Sequence, residues 1–89
     1  MYTIGINTYA KVFSVVMKGN ITEDDSRTFA AELQNKVNTI VPSDYALLVD
    51  TRDLPETMRL SGRELLRKSL ISSIPFKTKY HFTPVQVLD

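Results

Sequence analysis

Apolar residues follow two kinds of pattern along this chain, and each kind predicts a different element. Three short, dense apolar runs predict strands, because none of them has helical spacing. They cover residues 2–7, 11–18 and 45–50. The second run places Phe13, Val15 and Met17 on one face of a strand and Val12 and Val16 on the other. That distribution predicts a central strand covered on both faces.

Two stretches with helical periodicity separate these runs. In the first, apolar residues recur at intervals of four, four and three: Phe29, Leu33, Val37 and Ile40. This spacing predicts a helix of about five turns that begins at Thr22, which has the capping-box spacing to Asp25. The second stretch, residues 61–73, predicts a helix that ends before Pro75. Its apolar face carries Leu65, Leu66, Leu70 and Ile74.

Strict alternation over residues 76–82 predicts a last strand with one wet face. Its apolar side carries Phe76, Thr78, Tyr80 and Phe82, and its polar side carries Lys77, Lys79 and His81. Pro84 has no N–H group, so it suits a sheet edge or the end of a strand. Residues 85–88 predict either a short final strand or a tail.

The predicted order is strand, strand, helix, strand, helix, strand. It indicates an α/β fold with a mixed sheet packed by helices and joined by right-handed crossovers. The 89 residues predict a single domain, residues 1–89. We expect its core to contain Phe13, Val15, Phe29, Leu33, Leu48, Leu66 and Leu70. A chain this short buries a modest share of its surface, so we also expect a twofold homodimer that buries apolar surface from either the helices or the last strand.

Composition and charge limit the types of site and function that this chain can have. The absence of cysteine excludes disulfides, thiolate catalysis and zinc–thiolate sites. No apolar run approaches the roughly 20 residues that span a bilayer, and the first residues lack signal-peptide features. Residues 1–50 contain four Lys/Arg and six Asp/Glu, which gives them a net charge of −2. Residues 51–89 contain seven Lys/Arg and four Asp/Glu, which gives them a net charge of +3. This mild asymmetry argues against a dedicated nucleic-acid binder, and we expect a cytoplasmic protein without cofactor or metal.

The segment best suited to present functional groups is the end of the third strand with the loop that follows it. Ligands in α/β sheets often bind beyond the carboxyl ends of strands. We therefore predict that the loop 51–60 and the start of the second helix form an interaction face. Its candidate residues are Asp50, Arg52, Asp53, Arg59, Ser61, Gly62, Arg63 and Arg67.

Several of these residues have more than one interpretation. Ser61 has capping-box spacing to Glu64, so it is either a helix cap or a regulatory phosphoacceptor at a positive helix end. Asp50 and Asp53 are either turn formers or a carboxylate pair for metal or acid–base chemistry. His81, on the predicted wet side, is interpreted as a surface histidine.

A group of basic residues provides an alternative binding surface. Arg63 and Arg67 are four positions apart and share a helix face, which Arg59, Lys77 and Lys79 can extend. The pattern is typical either of a solvated helix face or of a patch for anionic ligands, such as a lipid headgroup or nucleic acid.

The order of these motifs resembles that of the STAS-like domains, the family of anti-sigma-factor antagonists and their relatives. The matching pieces are the strand ending at Gly19, the Thr22-capped helix, Asp50-x-x-Asp53-Leu54 and Ser61-Gly62, which fall within residues 12–66. The resemblance implies a mixed sheet packed by helices and non-enzymatic binding of partner proteins.

The resemblance also implies a switch at a serine in an Asp-Ser-Ser-Gly motif that a kinase phosphorylates. Here the tetrad reads Arg59-Leu60-Ser61-Gly62, so leucine occupies the usual acceptor position and Ser61 is the serine that remains. We therefore expect a regulatory protein–protein interaction module without catalytic activity.

Overall fold

The computed structural model describes residues 1–84, which form a four-stranded mixed sheet and two helices. The strands are β1 (Tyr2–Asn7), β2 (Val12–Lys18), β3 (Ala46–Asp53) and β4 (Thr78–Phe82), and the helices are α1 (Glu23–Val37) and α2 (Arg59–Ser69). The strands lie side by side in chain order, with β1 antiparallel to β2 and the other neighbours parallel. The predicted α/β class and mixed sheet are confirmed, and the prediction for residues 85–88 lies outside the described residues.

Local sequence explains where α1 begins. The Thr22 hydroxyl accepts a hydrogen bond from the Asp25 backbone N–H at 3.0 Å, and the Asp25 carboxylate accepts one from the Thr22 N–H at 3.0 Å. This is the predicted capping box, and it satisfies two N–H groups that the helix itself leaves free. Before it, Gly19 turns the chain out of β2 with a φ of +63°, a conformation that favours glycine.

Both helices pack on the same face of the sheet. The two crossovers run from β2 to β3 and from β3 to β4, so they advance across the sheet in one direction, and a shared hand places both helices on one side. The core forms between this face and the helices. Its members include Phe13, Val15, Met17, Phe29, Leu33, Leu47, Val49 and Leu65.

The prediction that β2 is covered on both faces is wrong. β2 is central in the sheet, but Val12, Ser14 and Val16 on its second face are only half-buried. Leu48 of β3 shares that face and is half-buried too, which corrects its place in the predicted core. Two helices lying on one side leave the other side without cover from any described helix.

Two further leucines of the predicted core, one in α2 and one directly after it, are not fully buried. Leu66 is half-buried at the edge of the core. Leu70 is 65% exposed, because the helix ends at Ser69 and Leu70 adopts a left-handed conformation with a φ of 57°. The chain reverses there into a short 3-10 turn, Ile71–Ser73, and Ile71 enters the core in its place.

Candidate functional site

The orientation of β4 determines which surfaces the protein presents, and it leaves the aromatic side of the strand exposed as well as the polar side that was predicted to be wet. Tyr80 pairs with Leu48 and Phe82 with Asp50, so both aromatic rings lie on the uncovered face of the sheet. Lys79 and His81 pair with the core residues Leu47 and Val49 and therefore lie on the helix side. The alternation itself is present, and its polar side lies on the helix side of the sheet, where Lys79 and His81 remain exposed, as predicted for a wet face and a surface histidine.

The uncovered face carries an apolar surface, which we name the open sheet face. Its members are Val12 and Val16 of β2, Leu48 of β3, and Tyr80 and Phe82 of β4. The two aromatic side chains are the most exposed, at 53% for Tyr80 and 40% for Phe82. Phe76, predicted to share their side, lies before β4 and packs in the core with its ring 5.3 Å from that of Phe13.

An ion pair borders the open sheet face at the end of β3. The Arg52 guanidinium donates to both carboxylate oxygens of Asp50, at 3.0 and 2.8 Å, and the Arg52 backbone N–H donates a third bond at 3.1 Å. The side-chain bonds first, and then the backbone bond, lower the pKa of Asp50 from 3.8 to about 2. Both oxygens of Asp50 are thus engaged by Arg52, which does not suit the metal or acid–base role considered for Asp50 and Asp53.

On the helix side, Thr51 fixes the orientation of His81. The buried Thr51 hydroxyl donates to the Phe82 carbonyl oxygen at 3.2 Å and also lies 3.3 Å from His81 Nε2, with which it forms a hydrogen bond. The bond to Thr51 therefore orients the His81 ring through Nε2, and Nδ1 is not part of this network.

A cleft lies between α2 and β4, and we name it the basic cleft. It has two adjoining parts of about 400 and 390 Å³, both of which Arg63, Leu66 and His81 line. Arg59 lines the first part, and Arg67 and Lys79 line the second. Within residues 1–84, no Asp or Glu lines either part, so the cleft is cationic over an apolar floor.

The structure distributes the predicted interaction face over two separate surfaces. Successive residues of β3 point to opposite sides, so the Asp50–Arg52 pair lies beside the open sheet face while Thr51 points toward α2. The three arginines of α2 line the basic cleft instead: Arg59, Arg63 and Arg67. Asp53 is exposed at the end of β3.

The predicted cap at Ser61 is wrong. A 3-10 turn, Glu56–Met58, leads directly into α2, which begins at Arg59 and has no side-chain cap. Ser61 is therefore an exposed residue inside the first turn, and Glu64 bonds to Arg67 instead of reaching back.

Gly62, predicted to belong to the interaction face, is buried and presents nothing to a partner. A Cβ at this position would lie 2.6 Å from Leu54 Cδ1, so the glycine allows α2 to approach the end of β3 closely. Its role in the described structure is packing.

Sequence reasoning did not single out Thr51, and it did not predict that Tyr80 and Phe82 lie on the sheet face opposite the helices. The alternation over residues 76–82 showed which side chains share a face. It contained no signal for which of the two faces α2 would cover. The signal for Thr51 is weak as well, because one buried hydroxyl in an apolar strand has no distinctive spacing.

Comparisons of this chain with family models, with curated proteins and with solved structures found no match. Among residues 1–84, no helix is long and apolar enough to cross a membrane.

Proposed function

We propose that this protein is a non-enzymatic, STAS-like interaction module that binds a second copy of itself through the open sheet face. The observation that carries this proposal is the exposure of Tyr80 and Phe82 on a face that no described helix covers. Aromatic residues are enriched in the buried cores of protein interfaces, where a few of them supply most of the binding energy.

The rest of the open sheet face suits burial against a second sheet. Val12, Val16 and Leu48 continue the apolar surface across the two central strands. Two sheets that pack face to face lie about 10 Å apart and interdigitate side chains of this kind. Ser14, between them, donates its hydroxyl to the Gly5 carbonyl oxygen at 3.4 Å, so its burial leaves no unpaired donor.

The size and charge of the chain favour a second copy as the partner. A small domain buries a smaller share of its surface than a large one, and a sheet-on-sheet dimer adds to that share. The net charge is only +1, so two copies repel each other weakly. A twofold dimer also covers the open sheet face of both copies, so association ends at two chains.

Pairing along the free side of β4 is the competing mode of association. Lys77 and Lys79 lie at this edge of the described sheet, and Pro84 follows it. Charged side chains and proline are the residues with which natural proteins protect such edges. Association through the face of the sheet is therefore favoured over strand addition at β4.

The STAS-like part of the proposal rests on the order of elements. The resemblance covers residues 12–66, which fold as β2, α1, β3 and α2 in the order that the resemblance implies. Ser61, the candidate phosphoacceptor, is exposed near the start of α2, so a kinase can reach its hydroxyl.

Hydroxyl-radical footprinting over a range of protein concentrations tests the location of the interface. Tyr80 and Phe82 are expected to become protected from oxidation as the concentration rises from submicromolar to submillimolar. Tyr9, which is 98% exposed in the β1–β2 turn, serves as the internal control and should stay reactive throughout. Unchanged oxidation of Tyr80 and Phe82 at every concentration would contradict the proposed face.

A further inference from the structure

We infer that the basic cleft is a binding site for a small phosphomonoester whose organic part is apolar. The cleft lies on the helix side of the sheet, and although Tyr80 of the open sheet face also lines its second part, this inference does not rest on the proposed dimer. Each part, at about 400 and 390 Å³, has the volume of a small-molecule site.

The first argument is the charge of the lining. In residues 1–84, Arg67 is paired with Glu64, but neither Arg59 nor Arg63 forms an ion pair. Guanidinium groups bind phosphate oxygens through paired, charge-assisted hydrogen bonds. Because a phosphomonoester carries about −1.5 to −2 charge near neutral pH, it can engage both arginines where a single carboxylate would engage one.

The second argument is an unsatisfied donor. Arg59 Nε is buried and has no hydrogen-bond partner within the described residues. A buried donor without a partner is destabilising, and native proteins rarely retain one without a reason. Arg59 lines the same part of the cleft as Arg63 and His81, so a shift of its side chain on binding would let an anion there accept from Nε.

The third argument is the pre-organisation of His81. Its Nε2 is held by Thr51, which in turn is fixed by the Phe82 carbonyl oxygen. The ring also lines the cleft, where Nδ1, the nitrogen that Thr51 does not engage, can contact a ligand. A ring held in one orientation loses little entropy when it contacts a ligand.

The apolar floor defines the rest of the ligand. Leu54, Leu66 and Pro84 line the first part of the cleft, and Leu47 and Val49 line the second. Such a floor favours an aromatic or alkyl group next to the phosphate over a bare inorganic ion. The limited volume of the cleft also favours a small molecule over a nucleic-acid strand, which needs a continuous charged track.

Calorimetric titration of the full chain with phenyl phosphate tests this site. We expect saturable binding of one molecule per chain, with inorganic phosphate binding more weakly because it lacks the apolar group. Arg63→Gln removes the arginine common to both parts and should weaken binding about tenfold or more. Arg27→Gln is the matched control, since Arg27 lies on α1 outside the cleft, and should bind like the natural chain.

Proton NMR of His81, the only histidine, shows whether the ligand binds in the cleft. The His81 ring resonances should shift with the same saturation curve as the calorimetric signal, and this readout does not depend on enzymatic activity. Three results would overturn the inference: no saturable binding, an equal loss in Arg27→Gln and Arg63→Gln, or a single-stranded oligonucleotide that displaces phenyl phosphate at lower concentration. The Val12→Thr variant, altered on the open sheet face and outside the cleft lining, should bind phenyl phosphate normally.

Discussion

The guanidinium of Arg52 lies over the ring of Phe82, 5.0 Å from its centroid, and thereby links the ends of two parallel strands. The same guanidinium is held by two hydrogen bonds to Asp50. A cation over an aromatic face contributes favourable electrostatic energy and restricts both side chains. The open sheet face is therefore bordered by a side chain that is already ordered, which lowers the entropy lost when a partner binds.

The two faces of β3 should differ in their sensitivity to truncation. Leu47 is buried on the helix side, and its neighbour Leu48 is half-buried on the open sheet face. Leu47→Ala should lower the free energy of unfolding by about 2–5 kcal/mol, as deletions of buried leucines do. Leu48→Ala should cost about 1 kcal/mol in the monomer, because its apolar surface is only partly removed from water.

Urea denaturation of both variants at low protein concentration measures this difference. Equal losses would mean that both faces of the sheet are covered, contrary to the structure.

The two helices should differ in their dependence on a hydroxyl near the N-terminus. Thr22→Ala removes the cap of α1 and should destabilise the protein by about 1 kcal/mol. Ser61→Ala should leave stability within about 0.5 kcal/mol of the natural chain, since Ser61 is an exposed side chain inside α2. Thermal denaturation of the two variants gives the comparison, and a larger loss for Ser61→Ala would restore the capping role.

Acid should remove the contribution of the Asp50–Arg52 pair. The pKa of Asp50 is lowered to about 2 in the folded chain, so its stabilisation is present above its ordinary pKa of 3.8 and disappears as the pH falls toward 2. Asp50→Asn should therefore be less stable than the natural chain at pH 7, and the two should converge as the pH approaches 2.

Urea denaturation from neutral to acid pH follows this convergence. Arg52→Gln, which removes the donor, should flatten the same part of the profile. A deficit of Asp50→Asn that persists undiminished at the acid end would show that the loss comes from packing instead of charge.

Much of the fold was predictable, because local signals agree with the tertiary structure. The capping box at Thr22 and the stripe Phe29, Leu33 and Val37 belong to one helix whose propensity, cap and buried face coincide. Asn7 likewise accepts from the backbone N–H groups of Tyr9 and Ala10, a local turn interaction that is typical of asparagine.

The candidate surfaces were less predictable, because they depend on where distant elements pack. The alternation of residues 76–82 is compatible with either face of a sheet, and only the position of α2 decides that Tyr80 and Phe82 point away from the helices. The start of α2 lies two residues before the predicted start at Ser61, for a similar reason. The 3-10 turn after Pro55 begins the helical conformation before Ser61. Ser61 therefore lies inside the helix, and its capping-box spacing to Glu64 forms no cap.

The central claim is that the open sheet face joins two copies of this protein. The double variant Tyr80→Thr/Phe82→Thr keeps β-branched residues in β4, which suit a strand, while it removes both aromatic anchors. Tyr9→Ser removes a tyrosine that is 98% exposed in the distant turn and serves as the matched control.

Sedimentation equilibrium at micromolar concentration tests this claim most directly. The natural chain and Tyr9→Ser are expected to sediment at twice the monomer mass of 10.1 kDa, and the double variant at the monomer mass. A single ideal species of 10.1 kDa for the natural chain, or a double variant that remains dimeric, would contradict the account.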